Sequence, residues 1–225
     1  MPSASKPSGK ARHLRLAKAD GAESPRAPTD EELIDAFERG DAASVDAIYG
    51  RLIGIVDGTI CRIMGRREVD HADLVQSSFE QIVLTLTQGR FARACGLGAW
   101  AAAITTHVAL KTLRARINER RVLDRSARRQ GELPEPAAPD NVEREATTRE
   151  AFDRLRLHLA EMDSAKAVTV YLHDGLGHDL AEIATLTNVS VAAAQSRLVR
   201  GREELRHRMS GGRGPTAGGW KDGEP

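Results

Sequence analysis

The sequence predicts an all-α protein built as two small helical bundles joined by a flexible linker, and three observations carry that expectation. Apolar residues recur at spacings of three and four through most of 29–122 and again through 142–209. Only 4% of the residues are aromatic while 29% are charged, a balance that suits small helical bundles better than a β-sandwich. Pro134, Pro136 and Pro139, set among acidic residues, break the helical pattern between the two stretches and mark a linker over 123–141. A chain of 225 residues has room for both units.

Order is expected to begin at Thr29-Asp30-Glu31-Glu32, where Thr29 can accept from the third helical N–H while Glu32 reaches back. Leu33, Ile34 and Phe37 form the buried stripe of that first helix. After Gly40, the positions Val45, Ile48, Tyr49, Leu52, Ile53, Val56, Ile60, Ile63 and Met64 predict a second helix ending near Gly65. A third runs from about Asp70 with Leu74, Val75, Phe79, Ile82, Val83 and Leu86 turned inward, and stops before Gly89. Arg90 to Gly98 reads as a loop. Trp100, Ile104, Val108 and Leu113 then line the inner face of a fourth helix that continues into an arginine-rich block. In the second unit, Phe152, Leu155, Leu159 and Met162 predict one helix, and Ala167, Val168, Val170, Tyr171 and Leu172 the next, closed by Gly175. A helix-turn-helix completes the bundle. Both ends, 1–28 with its six lysines and arginines and the glycine-rich 210–225, are expected to be disordered. The basic arm reads as a solubilising tail or as a contact to nucleic acid.

The net charge of +1 conceals strong local segregation. Lys111, Arg114, Arg116, Arg120, Arg121, Arg125, Arg128 and Arg129 crowd one segment, and Glu132, Glu135, Asp140, Glu143 and Glu145 crowd the next. Such a chain can meet DNA on one surface and a protein on another. Cys61 and Cys95 form no C-x-x-C pair and stand at no zinc-finger spacing, so neither a structural metal nor a disulfide framework is expected. Cys61 is read as core and Cys95 as a loop residue. With no signal-like segment and no stretch near 18 uninterrupted apolar residues, a soluble, cytoplasmic protein without a membrane role is expected.

The functional signal is strongest from Asp179 to Arg202. Leu180, Ile183, Ala184 and Leu186 mark one apolar face, Asn188 tolerates a left-handed turn, and Ser190 can cap the following helix. That second helix carries Gln195, Ser196, Arg197, Val199, Arg200 and Arg202 outward. Such a face is either a solvated surface or a reader of duplex DNA; in a major groove Gln195, Ser196, Val199 and Arg200 would meet base edges, and Arg197, Arg202 and Arg206 would meet phosphates. Enzymatic patterns are absent: there is no Walker-type phosphate loop, nucleophile elbow or zinc-protease motif. His173-Asp174 and His178-Asp179 have poor spacing for a metal phosphohydrolase, and a helix-capping role accounts for Asp179. No enzyme, cofactor or metal is expected.

Two separated motifs give the chain a resemblance to bacterial RNA polymerase sigma factors of the extracytoplasmic-function type, within the sigma-70 family, over roughly 29–209. Asp70-His71-Ala72-Asp73-Leu74-Val75-Gln76-Ser77-Ser78-Phe79 resembles the D-L-x-Q-x-x-F helix of region 2, and Glu182 to Arg202 resembles the region 4 reader. The resemblance implies a region 2 domain over 29–122 and a region 4 domain over 142–209. It implies that Asp70, Asp73, Leu74, Gln76 and Phe79 dock on the β′ clamp helices of core RNA polymerase, with the β flap as a second polymerase contact. Arg90, Phe91, Arg93, Ala103, His107, Lys111 and Arg114 would then meet the minus-10 element and the melted non-template strand, including a flipped base. Gln195, Ser196, Arg197, Val199, Arg200 and Arg202 would read the minus-35 element. An anti-sigma protein is a further partner the resemblance admits. The pattern departs in two places: Trp100-Ala101, Ala103 and His107 stand where the family commonly has a tryptophan-leucine pair followed by an arginine and an asparagine on the DNA face, and Ala192-Ala193-Ala194 replaces Gly-Thr-Val, leaving fewer side-chain hydrogen bonds. Trp100 reads as a core anchor. Two alternatives stand beside the sigma reading: a free-standing helix-turn-helix regulator, and a sigma-like interaction protein that no longer reads promoters.

Overall fold

A computed structural model describes residues 26–67, 69–129 and 145–210, without the side chains of 127–129 and 145–147. It is all-α among the described residues. The elements are α1 (Asp30–Glu38), α2 (Ala42–Met64), α3 (His71–Thr87), α4 (Leu97–Arg129), α5 (Glu145–Glu161), α6 (Ser164–Val170) with a π turn over Tyr171–Gly175, α7 (Leu180–Leu186) and α8 (Val191–Met209).

Local chemistry sets most boundaries. Thr29 and Glu32 form the expected capping box, Thr29 Oγ1 accepting from the Glu32 N–H at 3.2 Å and Glu32 Oε2 from the Thr29 N–H at 2.7 Å. Asp41 caps α2, which ends at Gly65 in the left-handed region with φ 82°. Asp70 precedes α3 without capping it; its carboxylate instead pairs with Arg116 of α4. Asp73 lies exposed in the first turn of α3, where a negative charge complements the helix dipole.

The first bundle wraps α1, α2 and α3 around the N-terminal half of α4. Its core contains Ile34, Leu52, Val56, Ile60, Ile82 and Leu97. The inner face of α4 differs from the expected one. Ile104, Val108 and Leu113 are only partly buried, and Ala101, Thr105 and Ala109, one turn apart, point fully inward with Trp100 and Leu110. Small side chains let α2 and α4 approach closely, and Thr105 and Thr106 satisfy their hydroxyls on the carbonyls of Ala101 and Ala102 at 2.8 and 2.7 Å. Val45, Tyr49 and Val83, expected inward, are exposed because they lie on the edges of α2 and α3 that α4 does not cover.

The second bundle packs α6 on α8, with α5 and α7 completing it. Phe152, expected inside, is exposed. The fourth helix extends through Arg129, seven residues into the expected linker, and 130–144 lie outside the described residues, as do 1–25 and 211–225 of the expected disordered arms. Of the N-terminal arm, the Pro28 carbonyl accepts from Arg51 at 2.6 Å. The two bundles also touch directly. Arg114 of α4 donates through Nε to the Ala160 carbonyl at 2.6 Å and through its terminal nitrogen to the Met162 carbonyl, occupying acceptors that the C-terminus of α5 leaves without intrahelical donors. Arg121 pairs with Glu161, which also receives Arg208 of α8 at 3.0 Å.

Candidate functional site

The α7–α8 unit is built by its caps. Asp179 Oδ1 accepts from the Glu182 N–H at 2.8 Å while Glu182 Oε2 accepts from the Asp179 N–H at 3.1 Å, starting α7 with the predicted aspartate cap. The chain reverses at Asn188, whose φ of 51° lies in the left-handed region that asparagine tolerates. Ser190 Oγ then accepts from the Ala193 N–H at 3.2 Å and starts α8. Buried Ala184 and Ala194 belong to the closely packed α7 and α8. Gly201 does the same job against α6, where a Cβ would come within 2.6 Å of Val170 Cγ2. Sequence reading passed over Gly201, since a glycine inside a helix carries no apolar signal.

This scaffold presents one face of α8 to solvent. Gln195, Val199 and Arg200 are exposed, and Ser196 and Arg197 half-buried beside them. Among the described residues, Arg197 and Arg200 make no ion pair, so their donors are available. Arg202 is held differently. Its Nε donates to Asp174 Oδ2 at 3.0 Å and its terminal nitrogen also pairs with Asp174 and lies 3.1 Å from His173 Nδ1. These hydrogen bonds, Arg202 first, hold the Asp174 carboxyl below its ordinary pKa against a partial desolvation that acts the other way. His173 pairs with Asp174 and His178 with Glu182, as two separate pairs.

A family model for sigma-70, region 4 matches residues 152–205. Over those residues the chain is similar to region 4 of the sigma-70 family. The match runs from α5 into α8, so it takes in the α7–α8 helix-turn-helix together with α6 and part of α5. No curated protein matches the chain. Among solved structures, that of CnrH in complex with the cytosolic domain of CnrY is similar over 81% of this chain and 97% of the other, at 21% identity and a TM-score of 0.46.

N-terminal to the matched residues, those expected to meet polymerase or the minus-10 element fall into several environments. On α3, Asp73 and Gln76 are exposed, Gln76 donating to Glu80 at 2.9 Å, and Phe79 is half-buried with its ring 4.5 Å from that of Tyr49. Tyr49, Val75, Phe79, Val83 and Leu84 line an open, largely apolar groove between α2 and α3. Leu74 lies in the core, 5% exposed, because it sits on the opposite side of α3 facing α4; it therefore offers no docking surface. Asp70 is engaged by Arg116.

Within the loop and α4, Arg90 and Lys111 are exposed, and Phe91 packs in a tilted arrangement against the buried Trp100 with centroids 4.8 Å apart. Trp100 is the core anchor it was expected to be. Arg93 adopts φ 55° and bridges to Asp35 at 2.6 Å and Glu38 at 2.9 Å, tying the loop to α1. Ala103 is only 3% exposed, packed inside the bundle by the close approach of neighbouring helices, which removes it from a DNA surface. His107 keeps an exposed edge, yet the protein crowded around its ring desolvates it and lowers its pKa, favouring the neutral form. Arg114, expected on DNA, is the clasp on the C-terminus of α5. Tyr49 and Leu84 were missed as surface residues because helical spacing alone does not say which flank a third helix will cover.

Proposed function

We propose that the chain is a promoter-specificity sigma subunit of the extracytoplasmic-function type, which binds core RNA polymerase and directs promoter recognition, melting and transcription initiation. The observation that carries this reading is a sigma-70 region 4 whose α8 turns Gln195, Val199 and Arg200 to solvent with the flanking arginine Arg197 unpaired among the described residues. Laid in the major groove of the minus-35 element, that face offers Gln195 and Arg200 as bidentate partners of adenine and guanine and Arg197 to a phosphate. Ala192 and Ala193 add close approach and no hydrogen bonds, while Ala194 is buried in the bundle. Docking on the β′ clamp helices falls to Asp73, Gln76 and Phe79 with the apolar groove beside them, which supplies a desolvatable centre and a polar rim. Minus-10 contact falls to the exposed Arg90 and Lys111 and the exposed edge of His107. The test is run-off transcription with purified core enzyme on promoters from the source genome, beside gel shifts with and without core. Promoter-dependent transcripts that require this chain are the expected result. Tight duplex binding without core, and no core complex on a sizing column, would replace this reading with that of a free-standing regulator.

A further inference from the structure

The promoter-reading surfaces leave unused a cluster between α2 and the start of α3. Asp57 and Cys61 stand one turn apart on the same face of α2, and His71 is the first residue of α3. One Asp57 oxygen, Cys61 Sγ and a His71 ring nitrogen all lie within 4.8 Å of one another. His71 Nε2 is 2.7 Å from Asp57 Oδ1, and the histidine side chain is only 12% exposed. Arg67, in the connection between the helices, holds the other carboxylate oxygen, Oδ2, at 2.5 Å.

We propose that Asp57, Cys61 and His71 form a binding site for a zinc-class divalent metal ion that fastens the C-terminal half of α2 to the start of α3. The donor set is the first reason. Thiolate sulfur, imidazole nitrogen and carboxylate oxygen are the ligands zinc takes, whereas magnesium and calcium select oxygen alone. Spacing is the second. Ligand bonds of about 2.0–2.3 Å in a tetrahedral zinc site place the donor atoms roughly 3.3–3.8 Å apart. A triad already gathered within 4.8 Å reaches that spacing by side-chain rotation, with the 2.7 Å His71–Asp57 hydrogen bond opening to admit the ion. The third reason is the supporting arginine. With Oδ2 engaged by Arg67, Oδ1 is the oxygen presented to the metal, the kind of outer contact that orients ligands in metal sites. Binding requires the Cys61 thiol to give its proton to solvent and the neutral His71 ring to offer Nε2. Three protein ligands leave a fourth position for water or for a ligand from another molecule. A metal there would brace α3 two residues before Asp73.

The full-length chain, reduced and stripped with chelator, is titrated with Co2+ and then with Zn2+ in competition. The expected result is one equivalent of Co2+ per chain with a thiolate-to-cobalt charge-transfer band, retained in Cys95→Ser and lost in Cys61→Ser. His71→Gln and Asp57→Asn should each weaken Zn2+ affinity by at least about tenfold. Should a variant fail to fold, the wild-type chain alone gives a second reading: one equivalent of Zn2+ slows alkylation of Cys61 by at least about tenfold while Cys95 reacts as before, followed by peptide mass spectrometry. Absence of the charge-transfer band, its persistence in Cys61→Ser, or equal Cys61 alkylation with and without Zn2+ overturns the proposal.

Discussion

Replacing Arg114 by alanine should loosen the second bundle from the first. The wild-type guanidinium makes two hydrogen bonds, to the Ala160 and Met162 carbonyls at the C-terminal end of α5, in a part-buried setting. A hydrogen bond involving a charged group contributes about 1.5–3 kcal/mol, and a cation at a helix C-terminus adds about 0.3–1 kcal/mol. Two such bonds and the dipole sum to about 3–7 kcal/mol; water can reach the freed carbonyls from the exposed side of the contact, so the loss should fall below that range, at about 2–3 kcal/mol. With a urea dependence of about 2 kcal/mol per molar, the transition that unfolds α5–α8 should move down by roughly 1 M. Arg114→Lys, which can serve one carbonyl, should lose about half as much. The assay is urea unfolding of the full chain, followed by far-UV circular dichroism and by proteolysis mapped to each bundle. An Arg114→Ala midpoint equal to wild type, together with reduced occupancy of a melted promoter, would refute this account and return Arg114 to the DNA surface.

Other substitutions probe separate links. Gly201→Ala gains helix propensity of about 1 kcal/mol but drives a Cβ to 2.6 Å from Val170; chemical denaturation should show a net loss of about 1–2 kcal/mol, and a stabilised variant would mean α6 and α8 yield freely. At Asn188, with φ 51°, a valine should cost at least about 1–2 kcal/mol while glycine is tolerated, both read from thermal midpoints. Arg200→Ala should reduce discrimination at one minus-35 base by about 1–3 kcal/mol in competition gel shifts, whereas Lys substitution elsewhere on the chain's tails should not. Asp174→Asn releases Arg202, so the salt dependence of duplex binding should steepen by about one in log–log slope. The same aspartate has a depressed folded pKa, so its contribution to stability is present above the ordinary aspartate value and lost as pH falls through the folded one; the acid limb of a stability–pH curve should flatten in Asp174→Asn.

How far the sequence reached depended on whether the determining chemistry was local. The Thr29–Glu32 and Asp179–Glu182 boxes, the Ser190 cap and the left-handed Asn188 each involve residues within four positions of one another, and all were legible as patterns. The inner face of α4 was not, since Ala101, Thr105 and Ala109 become core residues only because α2 lies close enough to exclude anything larger. Burial of Ala103 and Leu74, and exposure of Tyr49 and Val83, follow from the same packing choice. Arg114 and Arg202 read as DNA cations because a sequence shows charge and not its partner; their acceptors lie 46 and 28 residues away. Cys61, expected in the core, is half-buried beside Asp57 and His71, at spacings of four and ten that match no familiar ligand motif.

The single helix α4 spans 33 residues, about 50 Å, and belongs to both bundles. Its grip on the second bundle combines two kinds of bond with opposite responses to electrolyte. Arg121 with Glu161 is an ion pair whose arginine is half exposed, and dissolved ions weaken such a pair. Arg114 holds carbonyl dipoles in a partly shielded place, where screening has little purchase. Rising ionic strength therefore slackens the contact on the Arg121 side first, while the Arg114 clasp and the apolar packing of α4 against α5 and α6 persist.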